Sequence, residues 1–250
     1  MTTVNSISGG KTSSYMAVHY PADKNVFAVV LIDDTECSPK DKGLIQKVSD
    51  KLGRDFIATA EDDLTLSAML DLEQLMGKQL DWVYGKSFDR TVEKRKHLPN
   101  KEWRFCTLEM KLRPIKNYCK QFGHVEMNIG FRYDEIERVE DFQKEQKWRN
   151  VKFPLAENKI SHYTVFKWVK TTSLIFPPDS NCVGCFWKPI QQLRKNFETN
   201  PEKMNWFASK EIRNRKWKSD ITYDQIKSIG LQTDFNFGTG AGCQAGFCTD

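Results

Sequence analysis

Short apolar segments alternate with helically spaced apolar residues through the first third of the chain, and this alternation is the strongest constraint on the fold. Residues 3–7 and the near-continuous apolar run 26–32 predict two strands, and residues 55–60 predict a third. Strands that alternate with helices predict βαβ units and a mostly parallel sheet. The apolar positions that indicate the intervening helices are Met16, Leu44, Ile45, Val48, Leu52, Ala68, Leu72, Leu75 and Met76.

The middle of the chain continues this pattern less clearly. Residues 125–131 predict another buried strand, whereas the polar and basic residues 84–104 predict a loop or insertion. Residues 107–121 predict a helix that Pro114 bends or divides. We therefore expect an α/β protein with a Rossmann-like, doubly wound, mostly parallel sheet that carries helices on both faces.

Composition and length fit a folded protein of one or two domains. The chain has 250 residues, of which 39% are hydrophobic and 28% charged, and these values exclude a disordered chain. We expect a nucleotide-binding α/β domain over residues 1–175. Residues 176–250 are expected to form a helical, cysteine-containing extension and tail that pack on it.

The lack of a long apolar run and of signal-peptide features at the N-terminus predicts a protein of the cytoplasm. No apolar run approaches the ~20 residues that a membrane span needs, and Met1 to Val4 lack the features of a signal peptide. Seven cysteines without an export signal predict metal ligands or catalytic thiols instead of disulfides. The net charge of +5 is compatible with a phosphate-rich substrate.

A glycine loop, Ser8-Gly9-Gly10-Lys11-Thr12-Ser13, directly follows the first predicted strand. A Gly-Gly turn at a helix N-terminus lets backbone N–H groups face a phosphate, and the loop adds one ammonium and three hydroxyl groups. A Walker loop would place its first glycine at Asn5, with too few residues before it for a strand. The pyrophosphatase pattern Ser-Gly-Gly-x-[Asp/Thr]-Ser matches instead. An ordinary glycine turn is the structural alternative.

Three further segments occur in the order known from one protein family. They read Phe105-Cys-Thr-Leu-Glu-Met-Lys-Leu-Arg-Pro114, Ile129-Gly-Phe-Arg-Tyr-Asp-Glu-Ile-Glu-Arg-Val139 and Asn181-Cys-Val-Gly-Cys-Phe-Trp-Lys-Pro189. With the glycine loop, the chain resembles the PP-loop superfamily of adenine-nucleotide α-hydrolases, in its phosphoadenosine phosphosulfate (PAPS) reductase-like branch. The resemblance covers about residues 6–189.

The resemblance implies roles for particular residues. The loop would hold a nucleotide phosphate, Asp33 and Asp34 would lie along the adenosine, and Arg132 and Arg138 would reach the sulfate or pyrophosphate end. The implied nucleotide-binding residues are Ser8, Gly9, Gly10, Lys11, Thr12, Ser13, Asp33, Asp34, Gly130, Arg132, Asp134 and Arg138, and the implied catalytic residues are Lys11, Arg132 and Cys248. Lys111 and Arg113 are further candidates. The alternative for these charges is a solvated surface.

Five cysteines are candidate metal ligands. Cys182 and Cys185 have the spacing that directs two thiolates to one ion. Cys106, Cys243 and Cys248 supply further candidates for a [4Fe–4S] cluster or Zn²⁺. Related adenylylsulfate reductases use adjacent cysteines here, whereas this chain has Phe105-Cys106, so one expected ligand is missing. The alternative is buried free thiols, which is our expectation for Cys37 and Cys119.

Two chemistries follow from the resemblance. One is thiol-dependent reduction of an adenylyl sulfate, for which a thiol reductant such as thioredoxin would be the partner. The other is ATP cleavage with Mg²⁺, adenylation of an acceptor and sulfur transfer. The tail lacks the Glu-Cys-Gly-x-His element of PAPS reductases, so reductase activity does not follow directly. The alternative is a nucleotide- and nucleic-acid-binding module with structural zinc. We also expect a homodimer.

A basic, aromatic stretch covers residues 188–218. Basic residues interleaved with aromatic rings suit RNA or single-stranded DNA, which would then be the acceptor. The predicted landing surface consists of Lys210, Arg213, Arg215, Lys216, Lys218, Trp206 and Trp217. The alternative is a set of amphipathic helices with solvated lysines and arginines.

Overall fold

The computed structural model describes residues 1–142, 145–179, 182–212 and 215–231. Its strands are β1 (Thr3–Ile7), β2 (Lys24–Val29), β3 (Leu31–Ile32), β4 (Ala58–Thr59), β5 (Asp81–Tyr84), β6 (Val125–Ile129), β7 (Glu145–Gln146) and β8 (Arg149–Lys152). The main sheet has the order β5-β2-β1-β6-β8-β7. Its first five strands in that order are parallel, and β7 runs antiparallel to β8.

Helices cover both faces of this sheet. They are α1 (Lys11–His19), α2 (Lys42–Leu52), α3 (Asp63–Met76), α4 (Phe88–Arg95), α5 (Arg113–Cys119), α6 (Ile136–Glu140), α7 (Pro154–Glu157), α8 (His162–Val169), α9 (Ile190–Thr199), α10 (Pro201–Ser209) and α11 (Tyr223–Ser228). The expected α/β, doubly wound architecture is confirmed. Within the described part of the chain, no helix is long and apolar enough to cross a bilayer.

Successive side chains of the central strands point to opposite faces of the sheet, and each face builds its own core. On β2, Phe27 and Val29 pack in one core with α1, α2 and α3. Val26 and Ala28 point to the opposite face and pack in a second core with Ile115 of α5. Both faces of β2 are therefore buried, which explains why the predicted strand is apolar at nearly every position.

Three asparagines, of which Asn5 and Asn25 are buried and Asn128 is half-buried, form a polar row across the central strands. Asn5 of β1 is in register with Asn25 of β2 and Asn128 of β6. The Asn5 amide donates to Asn25 Oδ1 at 2.9 Å and to the Tyr20 carbonyl at 2.9 Å, and its oxygen accepts from Asn128 Nδ2 at 2.9 Å. A shift of register would leave these amides unpaired in the core, so the row fixes the relative heights of the three strands.

The C-terminal helices build a third core against a small second sheet. Strands β3 and β4 pair antiparallel. Val30 and Ile32 at β3, Leu193 of α9 and Phe207 of α10 belong to one buried cluster. Gly184, between the two cysteines of the Cys-x-x-Cys motif, lies so close to the Phe207 ring that an added Cβ would be 2.3 Å from it. The motif therefore needs glycine at this position.

Local predictions were less accurate at the edges of the fold. The predicted strand 26–32 ends at Val29 in the main sheet, and the predicted strand 55–60 contains only the two residues of β4. Residues 84–104 contain α4, which the sequence analysis missed because only Phe88 and Thr91 of this polar helix are buried. Residues 107–112 form a π-helix that leads into α5 with Pro114 in its first turn, so the predicted division is present.

We expect Asn5→Ala to destabilise the protein by about 2 kcal/mol, because it leaves the Asn25 and Asn128 amides without their buried partner. Urea unfolding followed by circular dichroism measures the change. Ser6→Ala, on the next position of the same strand, is the matched control and should change the free energy of unfolding by less than about 0.5 kcal/mol. Equal effects of the two substitutions would contradict a register-fixing role for the asparagine row.

Candidate functional site

The candidate site lies at the carboxyl edge of the three central strands. Strand β1 lies between β2 and β6, and all three are parallel, so the segments that follow them emerge at the same edge. The chain leaves β1 towards β2, whereas β6 lies on the other side of β1. This reversal creates a crevice, and ligands of open α/β sheets bind at such crevices.

The glycine loop connects β1 to α1 by a compact turn. The Ser13 hydroxyl accepts from the Ser8 N–H at 3.1 Å and donates to the Gly10 carbonyl at 3.1 Å. Gly10 is the N-cap of α1, and no side chain caps it. The first N–H groups of a helix have no partner within the helix, so the loop presents donors at the crevice.

Gly9 has a left-handed backbone conformation, with φ of +82°. A Cβ at this position would lie 2.6 Å from Thr65 Cγ2, so both the conformation and the close approach of α3 require glycine. Gly130, which follows β6, packs against the same turn, and its Cβ would lie 3.4 Å from Ser13 Cα. Both glycines were predicted site residues, and both lie at the turn between β1 and α1.

Arg132 joins the segment after β6 to the glycine loop. Its Nη1 donates to Thr12 Oγ1 at 3.1 Å, its Nε pairs with Asp134 Oδ1 at 3.0 Å, and its Nη1 lies 3.1 Å from Glu135 Oε2. Arg132 is therefore held at the switch point by two carboxylates, with its guanidinium against the loop. Arg138 pairs with Glu135 Oε1 at 2.6 Å and stacks over the Phe131 ring, 3.9 Å from its centroid.

Asp33 and Asp34 follow β3 and differ in their contacts. Asp33 accepts a hydrogen bond from the Ser87 hydroxyl at 2.6 Å and pairs with Arg90 Nε at 3.3 Å. Asp34 instead caps a short 3₁₀ helix by accepting from the Glu36 N–H at 3.0 Å. The Asp33 N–H donates to Asp89 Oδ2 at 2.9 Å. The sequence analysis missed Ser87 and Asp89. The signal for them was the Ser-x-Asp start of α4, a helix N-cap pattern.

Lys11 is half-buried, and the charge of Asp179, a residue from the C-terminal part of the chain, acts on its ammonium group. Burial lowers the pKa of the Lys11 ammonium below its usual range, while the charge of Asp179 acts to raise it. Asp179 also pairs with the fully buried Lys188, at 2.7 Å. Asp179 therefore lies close enough to the glycine loop for its charge to act on Lys11, a proximity that nothing in the sequence pattern indicated.

Three of the predicted metal ligands lie near one another. Burial raises the pKa of the Cys106 thiol to about 11, and the charge of Cys185 raises it further. Burial also raises the pKa of Cys182 above its usual value, an effect that Lys111 opposes and Glu61 adds to. Lys111, a further candidate for the nucleotide site, forms an ion pair with Glu61, with 3.0 Å between Nζ and Oε1.

The cysteines do not form a ready ligand set among the described residues. No group of three or more His, Cys, Asp and Glu side chains there is arranged to hold a metal ion. Cys243 and Cys248 lie outside the described residues, so a site completed by the tail stays a prediction. Cys37 and Cys119 are free and buried, as expected.

The predicted nucleic-acid surface near the C-terminus is wrong in its aromatic part. Trp206 is 4% exposed and Trp217 is 1% exposed, and both indoles pack in the third core. Their N–H groups donate to Asp89 and to the Phe207 carbonyl. Lys210 pairs with Asp89 at 2.8 Å, and the Lys218 ammonium donates to the Phe186 carbonyl at 2.7 Å. Both rings share a buried apolar cluster with Ile32 of β3 and Ala58 of β4, so they are core residues. Of the other predicted surface residues, Arg213 lies outside the described residues.

Comparisons with known proteins add a distant relative and no function. No family model and no solved structure matches the sequence. The chain is 30% identical over 129 residues to an uncharacterized protein of Methanocaldococcus jannaschii. The aligned part makes up 50% of this chain and 29% of that protein, so the chain spans less than a third of this relative's length.

The Arg132–Asp134 pair predicts a pH dependence of stability. Burial acts to raise the pKa of Asp134, but the hydrogen bonds and charge of Arg132 outweigh it, and the pKa lies below its usual value. Stabilisation by a carboxylate with a lowered pKa is present above the unfolded pKa of about 3.9 and is lost as the pH falls through the folded value.

We therefore expect Asp134→Asn to destabilise the protein by up to about 1 kcal/mol at pH 7. The difference from wild type should shrink on acidification below about pH 4. Urea unfolding of wild type and variant at pH 7 and below about pH 4 measures this difference in the free energy of unfolding. In an Arg132→Ala background, the same Asn substitution should have a much weaker pH dependence. An unchanged pH dependence in that background would show that Arg132 is not its cause.

Proposed function

We propose that the protein is an adenine-nucleotide enzyme that acts at the α-phosphate of ATP or at the sulfate end of PAPS, in sulfur metabolism. The observation that carries the proposal is the meeting of the Ser8–Ser13 turn with Arg132 at the switch point of the sheet. The guanidinium of Arg132 lies there against the N-terminal turn of α1, which also carries Lys11, and this donor set suits a polyphosphate or sulfate-phosphate anhydride.

Each residue of the site has a role in this proposal. The free loop N–H groups and the Ser8 hydroxyl would bind the phosphate oxygens, while the buried Ser13 hydroxyl holds the turn together through its bonds to Ser8 and Gly10. Lys11, whose ammonium is partly desolvated, regains a favourable charge partner when a phosphate binds. Arg132 would lie against the charge that develops as the bond at the phosphate or sulfate breaks. Asp33 is oriented by Ser87 and would hydrogen-bond the nucleoside.

The proposed roles of these residues do not depend on a metal. Cys106, Cys182 and Cys185, the predicted ligands among the described residues, do not make a ligand set by themselves. Cys248 is still proposed as the tail thiol for the reductive chemistry. The cytoplasmic location, the homodimer and the thiol reductant also stay predictions.

Lys11→Ala should weaken the binding of ATP or PAPS by about tenfold or more, since a charge-assisted contact contributes about 1.5–3 kcal/mol. Isothermal titration calorimetry on the folded variant measures this. Lys47→Ala, which removes an exposed ammonium from α2, is the matched control and should bind like wild type. Wild type that binds neither nucleotide would refute the proposal.

Product analysis separates the two chemistries. Release of AMP and pyrophosphate from ATP would assign adenylation, whereas release of sulfite from PAPS with a dithiol would assign reduction. Binding of nucleotide without either product would leave the nucleotide-binding module, the alternative class, as the better description.

For the cysteines, we expect Cys182→Ser to lower the metal content of anaerobically purified protein and to reduce its thermal stability, because metal binding contributes to folding free energy. Metal analysis and an absorption spectrum distinguish iron from zinc. Cys119→Ser, in the buried core at the last residue of α5, is the control and should keep the metal. Wild-type protein without metal under these conditions would exclude the predicted cofactor.

A further inference from the structure

Helix α8 has one buried side and one strongly exposed side. Its buried Val165 and its Trp168 pack towards α1, and the Trp168 ring lies edge-on to Tyr15, with centroids 5.4 Å apart. On the other side, Tyr163 is 63% exposed and Phe166 is 42% exposed. We call the exposed residues His162, Tyr163, Phe166, Lys167 and Lys170 the α8 stripe.

The Tyr163 and Phe166 rings of the α8 stripe each have a lysine four residues further along the helix, and the His162 ring stacks on Phe166. Lys167 Nζ lies 4.7 Å from the Tyr163 ring centroid, and Lys170 Nζ lies 4.3 Å from the Phe166 ring centroid. Residues four apart share one helix face, so rings and ammonium groups form one continuous surface. Residues 158–178 contain three lysines and no aspartate or glutamate.

The N-terminal end of the α8 stripe lies beside the candidate site. The His162 N–H donates to Asp134 Oδ1 at 3.1 Å, and Asp134 is the ion-pair partner of Arg132. The nearby carboxylates Asp134 and Glu135 are both paired with arginine, so they leave the positive character of the stripe intact. Tyr133, 50% exposed, adds a third ring at this end.

We propose that the α8 stripe binds single-stranded nucleic acid. Unpaired bases stack on exposed aromatic rings, and ammonium groups beside those rings contact the backbone phosphates. A duplex would bind more weakly, because its bases are already stacked on one another. Trp206 and Trp217 do not serve this purpose because they are buried, whereas the rings of α8 are open to a strand.

Fluorescence anisotropy with a labelled single-stranded RNA, the DNA of the same sequence and the corresponding duplex tests the proposal. The two single strands distinguish RNA from DNA as the preferred partner. We expect Tyr163→Ala with Phe166→Ala to weaken single-strand binding by about tenfold or more. Lys167→Ala with Lys170→Ala should reduce the salt slope by about 0.7 for each phosphate that the variant no longer binds.

Lys42→Ala with Lys47→Ala removes the same charge from the exposed side of α2 and is the matched control. Equal binding by this control and by both α8 variants would overturn the proposal, as would wild type that binds no single strand at low salt. Sedimentation that shows a dimer lost only in the aromatic variant, without a change in strand binding, would assign the α8 stripe to a second copy instead. These measurements contain no free ATP or PAPS, so their outcome is independent of the proposed enzymatic function.

Discussion

The row of hydrogen-bonded asparagines across β2, β1 and β6 is the interaction on which the site depends. Each amide of the row is paired only when the three strands keep one register, so the strands end at a common level. That level places the glycine loop and Gly130 in contact, and it brings Arg132 within hydrogen-bond distance of Thr12. The geometry of the crevice is therefore set by polar contacts inside the sheet.

The cations of the crevice already have acidic neighbours. A bound anion would therefore replace one partner of a cation by another and would not leave a buried charge without a partner. Arg132 is paired with two carboxylates, and the Lys11 ammonium is partly desolvated near Asp179. Polar groups that are already oriented need little reorganisation when an anion arrives. The same pairing keeps the crevice stable without a ligand, since a buried charge without a partner is costly.

The sequence was sufficient for the fold class and for the loops after the central strands, because those segments combine a long apolar pattern with a glycine turn. It was insufficient for α4 and for β5, since each buries only a few residues and gives little periodic signal. It also misassigned Trp206 and Trp217. A ring beside lysines in sequence is typical of a surface, and only the packing of α10 against β3 shows that it lies in the core.

The third core has a consequence for how the protein loses its structure. Val30 and Ile32, which precede Asp33, share this core with Val183 of the Cys-x-x-Cys motif and with Leu193 of α9. Because they share one core, we expect the segment that supplies Asp33 to the crevice and the segment that carries the thiols to open together. A ligand bound by one segment would therefore stabilise the other segment against opening, without a direct contact between their functional groups.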